Sequence, residues 1–192
     1  MLRAEGLAVF RGDDCLFRNL TFSVAAGSAL QVTGPNGCGK TTLLRVLGGF
    51  LTPEVGTIRW DGVPGDWPGA SRGRLAYCGH LGGLKAELTA ADNLHFFARL
   101  HGASPAGVAA ALEAAGLARA TGLPAAQLSA GQRRRLALAR LPLAGAALWL
   151  LDEPQTNLDD AGKGYLRGLL AAHLAGGGLA VVASHEPAAL AG

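Results

Sequence analysis

Four groups of residues in this 192-residue chain have the types and spacing to do phosphate chemistry. The first is Gly34-Pro35-Asn36-Gly37-Cys38-Gly39-Lys40-Thr41-Thr42, which fits G-x-x-x-x-G-K-[ST]. Glycines at these positions let backbone N–H groups turn inward around phosphate oxygens, and a following helix adds its positive N-terminal dipole. Lys40 supplies charge for the outer phosphates, and the Thr41 hydroxyl suits Mg²⁺. The second is Leu148-Trp149-Leu150-Leu151-Asp152-Glu153, a hydrophobic run that delivers two acids to its C-terminal end. There Asp152 would hold Mg²⁺ and Glu153 would act as general base toward water. Alone, an apolar run ending in Asp-Glu is more often a strand end than a catalytic pair. With a phosphate loop more than a hundred residues earlier, the balance reverses.

The third group is Leu128-Ser129-Ala130-Gly131-Gln132. Ser129 reads as a helix cap that leaves N-terminal N–H groups for an anion. A plain cap is the simpler reading of that pentapeptide, but it lies some twenty residues before Asp152. The fourth is His185, which follows an apolar run that aims it at the same site.

The elements that must position these groups follow from periodicity. Arg11–Asp14 reads as a turn and Leu20–Val24 as a half-buried strand. Ala29–Thr33 is a short strand entering the glycine loop, and Thr41–Leu47 a helix leaving it. Thr57–Trp60 reads as a strand, with a hairpin turn at Asp61-Gly62. The stretch from Lys85 to Arg119 reads as two or three helices broken near Gly102 and Pro105. A helix runs through Gln132–Ala139, Leu148–Leu151 is a buried strand, and Tyr165–Leu174 is a helix ended by Gly176–Gly178. Leu179–Ala183 is a further buried strand. Strands alternating with helices predict an α/β fold with a mainly parallel sheet covered on both faces.

Composition excludes other classes. Hydrophobic residues make up 49% and charged residues 16%, so the chain is not intrinsically disordered. The 29 glycines have no collagen period. Seventeen basic and fourteen acidic residues leave a net charge of +3, too weak a basic balance to argue for nucleic acid. Three widely spaced cysteines suggest a reducing compartment. Leu141–Leu151, the most apolar stretch, is about half the length of a membrane-spanning helix, so work at a membrane would go through a partner. No His/Cys pair has structural-metal spacing.

These motifs, in this order, resemble the ATP-binding subunits of ABC transporters over essentially the whole chain. Gly34–Thr42 matches the Walker A motif, Leu128–Gln132 the signature, Leu148–Glu153 the Walker B motif, Asn157–Asp159 the D-loop, and His185 the switch histidine. The resemblance implies a P-loop NTPase fold with a mainly parallel core, an N-terminal antiparallel β subdomain and an inserted helical subdomain. It implies one domain over residues 1–192, with 1–80 and 138–192 as the ATP-binding core and about 81–137 as the helical part. Lys40, Glu153 and His185 would be the catalytic set. ATP with Mg²⁺ would bind through Gly34 to Thr42, His80 and Asp152. Thr41 and Asp152 would be the metal ligands, and His80 a further candidate. Ser129, Gly131, Gln132 and Asp159 would complete the site across a head-to-tail dimer. The adenine would stack on Phe10 or Arg11, the latter by cation–π contact.

Two departures stand out. Ala130 replaces a usual glycine, and Tyr77-Cys78-Gly79-His80 stands where the family usually carries its Q-loop glutamine. The run His80-Leu-Gly-Gly-Leu-Lys85-Ala-Glu87-Leu88-Thr89 is similar to the CcmA family, ATP-binding subunits of the haem exporter in cytochrome c maturation. That resemblance implies a peripheral place on the cytoplasmic face of the inner membrane, membrane permease partners, and no nucleic acid. Another export substrate, a soluble ATPase acting on DNA or ribosomes, and a non-hydrolysing scaffold are the competing readings. Intact Lys40, Asp152 and Glu153 weigh against the last.

Among the remaining residues, Arg133–Arg135 reads as a solvated, partly salt-bridged helix face. Cys15 and Cys78 read as small buried hydrophobes. Cys38, at a helix N-terminus, reads as a reactive thiol that ATP would protect. His95, His101 and His173 read as helix-face residues, and Trp60 and Trp67 as local packing.

Overall fold

The computed structural model describes residues 1–63, 67–69, 73–80 and 82–185. Leu81, within the run that begins at His80, and residues 64–66 of the loop between Trp60 and Trp67 lie outside the described residues.

Two sheets share the chain. β1 (Leu2–Arg11) and β2 (Asp14–Val24) form a hairpin, and β4 (Val55–Trp60) pairs antiparallel with the other edge of β1. The second sheet is parallel. It runs β3 (Ala29–Val32), β7 (Leu179–Ala183), β6 (Leu148–Asp152), β5 (Leu75–Cys78). Every residue of β6 and β7 is buried, which is why both read as unbroken apolar runs rather than alternating ones. Because all four strands point the same way, the residues that follow them collect along one edge, where open α/β sheets bind ligands.

Helix α1 (Lys40–Leu47) lies between the two sheets. Its Leu43, Leu44, Val46 and Leu47 share one core with Leu7 and Ile58 on one side and with Leu150 and Val181 on the other. The opposite face of the parallel sheet is covered by α4 (Ala130–Leu143) and α5 (Asp160–Ala175), packed on Trp149, Leu151, Ala180 and Val182. A third core joins α2 (Ala90–Leu100) and α3 (Gly107–Ala114) to the other side of α4, through Leu94, Leu112, Leu136 and Ala139. Helix α4 therefore has two buried faces. Ala137, Leu138 and Leu141 meet the sheet, while Leu136 and Ala139 meet the helical cluster.

Three expectations change. The strand expected at Leu20–Val24 begins at Asp14, because pairing with β1 extends it through a stretch without clean alternation. Asp61-Gly62 does turn the chain, but β4 pairs with β1 rather than with a following strand, so it makes no hairpin among the described residues. Strand β5 had no strong sequence signal; its four residues become a strand by lying beside β6. Among the described residues, no helix is long and apolar enough to cross a membrane.

Candidate functional site

A cavity of about 740 Å³ opens along the C-terminal edge of the parallel sheet. The loop between β3 and α1 forms its floor, with Asn36, Gly37, Gly39, Lys40, Thr41 and Thr42 on the wall. Gly39 caps α1 with φ of 98° and no side-chain hydrogen bond, so no side chain of the cap residue takes up the first N–H groups of the helix. A Cβ on Gly39 would lie 3.1 Å from Phe17 and in a backbone region that side chains avoid. Lys40 is only 8% exposed. Its Nζ donates to the carbonyls of Gly34 (2.8 Å) and Pro35 (3.2 Å), which holds the loop closed on itself.

Strand β6 supplies the acids. Asp152 is 3% exposed, and its Oδ2 accepts a 2.9 Å hydrogen bond from the Thr41 hydroxyl. These two hard oxygens fit Mg²⁺, which takes few protein ligands and fills its other positions with phosphate and water. His80 offers a softer nitrogen. It stands just beyond β5, where it borders this cavity and a second one of about 440 Å³.

Glu153 follows β6 with φ of 47°, a left-handed conformation that costs a non-glycine residue roughly 1–3 kcal/mol. Its N–H donates to Ala183 O at 2.8 Å, which ties the turn to β7. Its Oε1 lies 3.1 Å from His185 Nε2 and 3.8 Å from Lys40 Nζ, and its Oε2 accepts from the His185 N–H at 3.3 Å. One carboxylate thus touches a cation from α1 and an imidazole from the end of β7. Nearby, burial and then Asp152 push the Tyr77 hydroxyl above its ordinary range, with Arg45 pulling the other way.

The hairpin tip between β1 and β2 closes the far end. Phe10 and Arg11 both line the cavity, so both adenine candidates are in place there, and Val9 and Leu16 extend the apolar surface beside them.

The remaining candidates lie elsewhere. Ser129 and Gln132 form a reciprocal cap at the start of α4: the Gln132 N–H donates to Ser129 Oγ at 3.1 Å, and the Ser129 N–H donates to Gln132 Oε1 at 2.8 Å. A Cβ on Gly131 would sit 2.9 Å from Asn157 O, whereas Ala130 carries its methyl at the edge of the second cavity. Asp159 caps α5, accepting from the Gly162 N–H at 2.8 Å. Ser129, Gly131, Gln132 and Asp159 do not line the nucleotide-sized cavity of their own chain.

Residues 17–156 match the family model described as ABC transporter. The chain belongs to the ABC transporter family. The cytochrome c biogenesis ATP-binding export protein CcmA of Rhizobium meliloti (strain 1021) is 48% identical over 195 residues, spanning 100% of this chain and 94% of that protein. The protein of the same name in Salmonella typhi is 49% identical over 188 residues, spanning 97% and 90%. Among solved structures, one from Pyrococcus furiosus, described as an ABC transporter ATP-binding protein, superposes with a TM-score of 0.86 at 26% identity, over 98% of this chain and 92% of that one. This ABC family member is an ATPase, the ATP-binding subunit of its transporter.

Three arginines of the ABC ATPase escaped sequence reasoning. Of Arg133–Arg135, only Arg133 is solvent-exposed, and none of the three is salt-bridged among the described residues. Arg134 is 5% exposed, Arg133 donates to Leu128 O, and Arg135 donates to Ala115 O at 3.0 Å. Arg140, also buried, donates to Gly82 O and Gly83 O. No carboxylate pairs with any of them among the described residues; all four bind backbone carbonyls. Burial on both faces of α4 was the missing signal. Cys15 is likewise exposed rather than buried, Cys38 is exposed as expected, and Cys78 is buried. Trp67 does pack locally, donating to Val46 O at 3.2 Å. His173 is more than a surface residue. Its ring stacks on Trp149 at 3.9 Å between centroids, and burial pushes its pKa below the ordinary value.

Proposed function

We propose that this ABC ATPase hydrolyses Mg²⁺-bound ATP with Glu153 as general base, to drive haem export or release of haem-loaded chaperone in c-type cytochrome biogenesis. The observation that carries the catalytic part is the meeting of Glu153 with both Lys40 and His185 beside the Thr41–Asp152 pair. The haem part is supported by full-length similarity to proteins named for cytochrome c biogenesis export.

Lys40 leaves the Gly34 and Pro35 carbonyls for the outer phosphates, because an ammonium–phosphate pair is stronger than two neutral acceptors. The N–H groups at the start of α1 would take the remaining phosphate oxygens. Thr41 and Asp152 would hold Mg²⁺, which would neutralise phosphate charge. Glu153 accepts a proton as water attacks the γ-phosphorus. The bond from that phosphorus to the bridging oxygen breaks, and ADP and inorganic phosphate result. His185 donates to the γ-phosphate and orients the water. Phe10 or Arg11 stacks on the adenine, and His80 reports the state of the site toward the second cavity.

Ser129, Gly131, Gln132 and Asp159 lie outside the cavity of their own chain, which supports a head-to-tail dimer in which they would reach ATP on the other copy. Membrane permease subunits are the further partners, and through them this chain sits on the cytoplasmic face of the inner membrane. A strain lacking this gene should lose its haem-loaded c-type cytochromes, read by haem-peroxidase staining. The wild-type gene should restore them and Glu153→Gln should not. Undiminished cytochromes in the deletion strain would refute the haem assignment.

A further inference from the structure

Arg134 is a heavily engaged side chain near the site, and among the described residues none of its partners is a side-chain carboxylate. Its Nε donates to Pro154 O at 3.1 Å, and its Nη2 donates to Asp152 O at 2.8 Å and Glu153 O at 2.7 Å. Its Nη1 donates to Gly79 O at 2.9 Å and lies 3.8 Å from Cys78 Sγ. One guanidinium thus ties the end of β6 to the end of β5, from a helix capped by Ser129. A buried cation without a counter-ion is costly. Here the fork spreads its charge over four carbonyl dipoles. Those carbonyls belong to Asp152, to the strained residue Glu153, to its successor, and to the residue before His80.

We propose that Arg134 is a positioning residue for ATP hydrolysis. It holds the Asp152–Pro154 peptides so that the Glu153 carboxylate faces the reacting water, and it fixes the His80 loop at the same time. This rests on Glu153 being the general base. Three features of the guanidinium matter together. It is planar, it reaches two strand ends at once, and it carries donors enough for all four carbonyls. A lysine at this position has a single nitrogen and cannot span both strand ends. The same contacts give a route by which the Ser129 end of α4 bears on Glu153: displacing α4 displaces the peptides that its arginine holds.

The test compares Arg134→Lys and Arg134→Gln with wild type, each also combined with Glu153→Gln. Single-turnover hydrolysis of Mg-ATP and binding of a fluorescent ATP analogue are measured separately. We expect the hydrolysis rate to fall about 100-fold, the scale of a misplaced catalytic group, with nucleotide affinity within about threefold of wild type. In the Glu153→Gln background, the Arg134 substitutions should add less than about threefold, because the group they position has already lost its function. A purely structural arginine would lower affinity and rate together, and its loss would add to that of Glu153→Gln. Either of those results, or full activity of Arg134→Lys, overturns the proposal. Thermal melts select the variant that folds; Arg134→Lys keeps the charge and the stem if Arg134→Gln does not. Wild-type chain without ATPase activity, or Glu153→Gln hydrolysing at the wild-type rate, refutes the catalytic reading itself and is told apart by those controls.

Discussion

Thr41 and Asp152 stand 111 residues apart in the chain, yet the hydroxyl of one donates to the carboxylate of the other at 2.9 Å. The first turn of α1 and the last residue of β6 thereby present two adjoining oxygens to the same cavity. Asp152→Asn should cut Mg²⁺-dependent ATP hydrolysis about 100-fold and raise the Mg²⁺ concentration for half-maximal rate. Lys40→Ala should reduce hydrolysis about 1,000-fold, since it also removes the charge for the outer phosphates. A coupled-enzyme ADP assay over a magnesium series measures both.

Glu153→Gln keeps the size and shape of the side chain and removes its basicity. It should bind ATP without turning it over and so collect as an ATP-bound dimer. Size-exclusion chromatography with light scattering, run with Mg-ATP, should then show twice the monomer mass. A monomer at every nucleotide concentration would refute the head-to-tail arrangement.

Cys38 and Cys15 are both exposed, whereas Cys78 is buried. Iodoacetamide should label the first two in the nucleotide-free chain and spare the third. ATP should protect Cys38, because the phosphates occupy the loop that carries it, and leave Cys15 reactive. Peptide mass spectrometry reads each site by itself, and equal labelling of Cys38 with and without ATP would contradict its place in the phosphate loop.

Ser129 and Gln132 hold each other's backbone N–H groups in a reciprocal cap. Ser129→Ala should lower stability by about 1 kcal/mol, measured by urea unfolding. Ala130→Gly should be tolerated, since Ala130 is already the small residue at that turn. Gly131→Ala should be worse than either, as its Cβ would press on Asn157 O.

Tyr165 carries a buried hydroxyl with no hydrogen-bond partner among the described residues, and burial pushes its pKa from 10.0 to about 12. The folded chain keeps this proton to about 12, while the unfolded chain releases it near 10.0. Stability is therefore intact below pH 10 and falls as pH climbs from 10 toward 12. Tyr165→Phe should be neutral or slightly stabilising at pH 7, because it removes an unsatisfied hydroxyl. It should also flatten the alkaline loss, as followed by the midpoint of urea unfolding.

Much of the site was legible in the chain itself. The glycine loop at Gly34–Gly39, the lysine and threonine after it, and the acids after Leu151 each announce their chemistry through residue type and local spacing. So do the parallel strands β6 and β7, whose burial on both faces demands uninterrupted apolar runs. Ser129 was recognisable as a cap because capping is a matter of three or four neighbouring residues.

Tertiary structure alone decided the rest. Strand β5 exists because β6 lies beside it, and β2 is long because β1 pairs with it. The run of three arginines has one appearance in sequence and three fates in space, since charge on a helix says nothing about whether its other face is also covered. Arg134 met the carbonyls of Gly79 and Glu153, some 55 and 19 residues away, only when the sheet and the helical cluster closed on α4 from both sides. Local sequence determines which atoms can donate, accept or turn. Which of them meet is decided by packing, because burial is a property of two surfaces and no single stretch of chain contains both.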